Sequence, residues 1–165
     1  MKKILFSALL ALVTLTSVFA QGKELLYTST ATGITFHVPA NVKELQDDIE
    51  AVILQTPDEG YTITAEAFNV EEASEADITK HLTTMAEAAE IDGDTAEEIS
   101  NETELITLLG LAADYDNGGA AAVGVAIVNG TPLGYYITVV VSPKYVDYAV
   151  SSLLTIGFDP DAVED

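Results

Sequence analysis

Residues 134–141, Gly-Tyr-Tyr-Ile-Thr-Val-Val-Val, constrain this chain more than any other stretch. Aromatic and β-branched side chains that are apolar on both faces suit a strand in the middle of a sheet, covered above and below. Asn129-Gly130-Thr131-Pro132 precedes it as a turn, and residues 121–127 read as its partner strand. One face of that partner carries Ala121, Val123, Val125 and Ile127. The other carries Ala122, Gly124 and Ala126, small enough for a covering layer to approach closely. Ser142-Pro143 then opens a closing helix, with Pro at the first helical position. Val146, Ala149, Val150, Leu153 and Leu154 form its apolar stripe, and Gly157 is expected to end it.

The rest of the chain supplies neighbours for that strand. Residues 33–39 alternate, with Ile34, Phe36 and Val38 on one face, Thr35 and His37 on the other, and Pro39 as the stop. Residues 51–56 and 61–68 read as a hairpin around Pro57-Asp58-Glu59-Gly60, with Gly60 expected in the left-handed region. Residues 41–50 are too polar to assign. Ser74 caps a helix together with Asp77, and Ile78, Leu82, Met85 and Ala89 form a stripe for covering a sheet. An acidic connector then runs to about residue 104. Residues 104–115 admit two readings. Leu105, Leu108, Leu109 and Ala112 fit a helix, whereas Gly110 and the turn Asp114-Tyr115-Asp116-Asn117-Gly118 fit a strand, which is the expectation taken here. The sum is an α+β domain: a single antiparallel β-sheet of about six strands, order βββαβββα, covered by two α-helices.

Lys2-Lys3, the apolar run that follows and Val18-Phe19-Ala20 read as a cleaved signal peptide over residues 1–20. After it come a loose lead-in (21–32), a single domain (33–158) and an acidic tail (159–165). The mature chain of 145 residues then holds four Lys, no Arg and 27 acids, a formal charge of −23, and no Cys. No later segment is long and apolar enough to span a bilayer. With no disulfide available, the fold must stand on packing. Such a charge repels phosphate backbones and anionic lipid, so nucleic acid and membrane surfaces are not the expected partners. It favours a cationic partner or a divalent ion.

Little in the chain points to catalysis. His37 sits on the outward face of a strand and His81 beside the apolar stripe of a helix, and neither joins a nucleophile or a metal-ligand motif. Asp92, Asp94, Glu97 and Glu98, and Asp114 with Asp116 and Asn117, are oxygen-rich clusters that calcium could use, although neither keeps the twelve-residue calcium-loop spacing. With so many acids, a carboxylate pair fit for a hydrolase is a further reading. Tyr135 and Tyr136, with Tyr145 and Tyr148, are candidates for a contact patch.

Residues 33–39, the middle helix at 75–90, and residues 134–141 leading into a closing segment that ends Thr155-Ile156-Gly157-Phe158 together resemble the PsbP-like fold. Small exported bacterial proteins of undefined function share that fold. Extrinsic photosystem subunits and Ran-binding proteins belong to the family, so the resemblance implies a non-catalytic binding or accessory module, and it carries over no functional residue. The expectation is therefore an exported binding protein with an unidentified protein or cationic partner and no cofactor. A calcium-binding protein and a carboxylate-pair hydrolase stand behind it.

Overall fold

The computed structural model describes residues 24–163, so the expected signal peptide and the end of the tail lie outside the described residues. Five strands come first: β1 (Glu24–Thr28), β2 (Ile34–Pro39), β3 (Lys43–Asp47), β4 (Ala51–Gln55) and β5 (Tyr61–Asn69). Helix α1 (Glu75–Ala88) follows, then β6 (Glu97–Glu102), β7 (Ile106–Asp114), β8 (Ala120–Val128) and β9 (Leu133–Val141). A 3-10 turn (Pro143–Tyr145), helix α2 (Tyr148–Leu154) and the two-residue β10 (Gly157–Phe158) close the fold.

The domain is α+β and antiparallel, but its strands form two sheets rather than one. The larger has seven strands in the order β3-β4-β5-β9-β8-β7-β6, and the smaller has three, β1-β2-β10. β9 takes the fourth of seven places, the central position expected of it, but only its inner face is fully buried, and Val140 on the outer face is exposed. The segment 104–115 is a strand from Ile106, in full register with β8. Four strands have no counterpart in the sequence reading: β1, β3, β6 and the short β10. The lead-in contains β1, paired with β2 over five positions. β3 and β6 lie in stretches read as unassigned or as connector. Both end the large sheet, where a strand is held by one neighbour's hydrogen bonds and carries charge instead of an apolar face.

The two helices cover opposite faces of the large sheet. On the inner face, Val52, Leu54, Tyr61, Ile63, Tyr135, Ile137 and Val139 meet Ile34, Phe36 and Val38 of the small sheet and Ala149 and Leu153 of α2. On the outer face, Ala86, Ala89 and Ile91 of α1 and its exit pack on Ala121 and Val123, with Leu82, Met85 and Leu111 at the margin. Ser74 and Asp77 form the expected reciprocal cap of α1. Small residues let α2 sink inward: a Cβ on Gly124 would lie 3.2 Å from a Leu153 methyl, and one on its partner Gly110 would lie 2.5 Å from the Val123 carbonyl.

The closing segment departs from the expected helix. Pro143 starts only a 3-10 turn, α2 has seven residues, and Leu154 is 41% exposed, off the buried stripe. Gly157 does not cap the helix but enters β10, where a side chain would strike the Thr35 hydroxyl. In the β4–β5 turn Glu59, not Gly60, takes positive φ (56°). Gly60 is required for a different reason, since a Cβ there would press on the Tyr145 ring at 2.8 Å.

Candidate functional site

At the β6 end of the large sheet the inner face is not filled. Ala112, Ala120 and Ala149 stand where larger side chains would close the gap between strands and helix. They leave a cleft of about 310 Å³, lined also by Thr95, Ala113, Val146 and Val150. Two carboxylates reach it. Glu97 pairs across strands with Ala112, and Asp114 lies two residues beyond Ala112 on the same face. The two acids are thus diagonal neighbours on adjacent strands, on the order of 7–8 Å apart at the backbone. Both are exposed, at the mouth of a cleft whose floor is aliphatic.

Of the six acids singled out from the sequence, these two are brought together. Asp92 and Asp94 shape the turn after α1: the Asp94 amide donates to the Asp92 carboxylate at 3.0 Å, and the Thr95 and Ala96 amides donate to the Asp92 carbonyl. Glu98 projects from the opposite face of β6. Asp116 sits in the β7–β8 turn, where Gly118 has φ +82° and the Gly119 amide donates to Asn117. Among the described residues no group of three or more His, Asp or Glu side chains is gathered closely enough to hold a metal ion.

The aromatic candidates separate as well. Tyr135 is fully buried and donates to the Thr32 carbonyl at 3.1 Å, which removes it from any contact patch. Burial raises its phenol pKa above the ordinary range. Its neighbour Tyr136 lies on the other face of β9, stacked on Phe68 (ring centroids 4.2 Å apart) and against the tilted ring of His81 (4.0 Å). Adjacent residues of a strand point oppositely, so a Tyr-Tyr pair could never form one patch. Tyr145 joins Tyr61 and Tyr148 in an edge-to-face cluster under α2. The Tyr61 and Ser152 hydroxyls are 2.9 Å apart, and Ser152 donates onward to the His37 carbonyl, so Tyr61 is the donor. His37 itself faces Glu24 at 3.3 Å on the surface.

An exposed ion pair stands outside the cleft lining. Lys144 Nζ meets Asp58 Oδ2 at 2.6 Å, and Thr56 and Tyr145 donate to the same carboxylate. The Lys144 bond, then that of Thr56, holds the Asp58 carboxyl well below the usual range. This knot fixes the β4–β5 turn to the start of the closing segment. The cleft escaped the sequence reading because its signal is volume: three alanines on three elements that meet only in the fold.

No protein-family model matches the chain, and no curated protein sequence matches it. Among solved structures, the chain is similar to a protein from Bacteroides thetaiotaomicron, with 11% identity and a TM-score of 0.45 over 88% of this chain. The chain spans about half of that protein's length, 52%. It is also similar to cyanobacterial PsbP (CyanoP) from Synechocystis sp. PCC 6803, with 12% identity and a TM-score of 0.46 over 86% of this chain and 96% of that one. The latter is of the family that the sequence resembles, and the likeness is one of fold alone. Among the described residues no helix is long and apolar enough to cross a membrane.

Proposed function

We propose that this is an exported, non-catalytic binding module whose cleft takes a primary ammonium carried on an aliphatic stem, as on a lysine side chain of a partner protein. The observation that carries this reading is the pairing of Glu97 and Asp114 at the mouth with Ala112, Ala120, Ala149 and Val150 on the walls. An aliphatic wall suits the four-carbon stem, and two carboxylates near water suit the strongly hydrated head. A cleft of about this size stands at the lower end of the range for small-ligand pockets and has room for such a group. The net charge of the chain would draw cations toward it from a distance. Export rests on the sequence of residues 1–20. A hydrolytic use of the two acids would require one to be kept protonated by an apolar enclosure. Both are exposed.

A thermal melt with N-acetyl-lysine methylamide tests the reading, with the norleucine analogue as the uncharged control. A ligand that binds only the folded state raises the melting temperature. The expected result is a rise with the lysine compound, none with norleucine, and loss of the rise in Glu97→Gln/Asp114→Asn. Equal rises with both compounds, or a rise unaffected by the double substitution, would remove the cleft from the function. A rise with millimolar calcium and none with the lysine compound would move the assignment to a divalent cation.

A further inference from the structure

We infer that β6 is a docking edge for an extended, lysine-rich peptide segment, which adds to the large sheet as an eighth strand and delivers a side chain into the adjoining cleft. The inference rests on the cleft reading above for that last step, and on separate observations for the strand pairing.

β6 ends the seven-stranded sheet. It is paired with β7 at all six positions, with no bulge, so its free side presents a regular row of backbone donors and acceptors. Among the described residues no backbone group of 97–102 bonds to anything outside that pair. The strand's one further bond is from the Asn101 side chain to the Leu154 carbonyl, on the inner face and not along the edge. An edge of this kind is a template for another strand unless something obstructs it.

What guards β6 is charge of one sign. Glu97 points to the inner face, Glu98 and Glu102 to the outer, and Glu104 follows in the next turn. A second copy of this chain, bearing the same acids, is repelled. A basic strand is attracted, and its alternate side chains fall on the two faces as those of β6 do. Residues on the outer face lie beside Glu98 and Glu102. Those on the inner face lie beside Glu97 at the mouth of the cleft. Charge complementarity therefore selects the occupant, and the cleft continues the edge.

The opposite edge, β3, is built against such addition. Its register with β4 shifts between Glu44 and Gln46. Tyr27 and Ser29, in and beside β1, donate to Glu44 and Asp47.

Hydrogen–deuterium exchange of the full chain with two synthetic peptides tests the inference: acetyl-Lys-Val-Lys-Lys-Val-Lys-Thr-amide, and the same sequence with proline at both valines, which keeps the charge but cannot pair as a strand. The expected result is at least tenfold slower exchange in residues 97–102 with the first peptide and no slowing with the second. Equal effects of the two peptides, or protection absent from 97–102, would overturn strand addition. The same exchange in Glu97→Gln/Asp114→Asn separates the two readings. Protection that persists there, together with no response to the lysine compound in the melt, sinks the cleft reading alone. A lysine-compound response without protection of β6 sinks strand addition alone.

Discussion

β3 and β6 close the two ends of the same sheet, and both are polar strands of five or six residues, yet they are finished differently. At the β3 end a register shift bends the edge. Ser29, fully buried, receives the Thr32 amide and hydroxyl and donates to Asp47, tying the small sheet to the edge. At the β6 end the register is regular, and α2 stops short of filling the inner face. One end is built to be left alone. The other keeps a free backbone row, three glutamates and a hollow within reach of each other. Among the described residues no buried side-chain nitrogen or oxygen lacks a hydrogen-bond partner.

The largest effect should come from the helix that roofs the open end. Leu153 is fully buried against Gly124, and Leu153→Ala is expected to cost about 2–5 kcal/mol in a denaturant titration. A cost near zero would mean that α2 is not seated on β8. The next tests the closed end. Ser29→Ala removes the acceptor for a buried amide and should cost about 1–3 kcal/mol. Exchange of residues 43–47 should quicken in the same variant.

Much of the middle of this comparison was legible beforehand. The alternation of 33–39 and the Ser74–Asp77 cap are found as their residues state them. The run at 134–141 takes the central place expected, but only its inner face is buried: Tyr136 and Thr138 are half-buried and Val140 is exposed. The ends were not legible. Glu-Glu-Ile-Ser-Asn-Glu has one apolar side chain facing the core, Ile99, and a single residue makes no period. The strand exists because β7 offers it a row of hydrogen bonds, which is a property of the neighbour and not of the segment. Glu97 and Asp114 stand out in the sequence as acids, but nothing in the spacing of 97 and 114 says that they flank the same alanines.

Two smaller effects sharpen the contrast. Glu97→Gln/Asp114→Asn relieves like charge across strands and should raise stability by roughly a few tenths of a kcal/mol at low salt, with the gain fading as salt is added. A loss would show that the two acids are held by contacts of their own. The smallest shift belongs to Asp58→Asn. The Asp58 carboxyl is held down by Lys144 and Thr56, so its stabilisation is present above the ordinary aspartate range and disappears as pH falls through the lowered folded value. The pair is exposed, and the melting temperatures of wild type and variant should differ slightly at neutral pH and converge in acid.

The central claim is that the open end, not the acidic surface at large, is where this molecule binds. An amide chemical-shift titration of the nitrogen-15-labelled chain with N-acetyl-lysine methylamide addresses it directly. The account predicts saturable shifts confined to residues 95–99, 112–114, 120 and 146–150, where the cleft walls lie. Shifts scattered in proportion to local acidity, or centred on the β3 end, would contradict it.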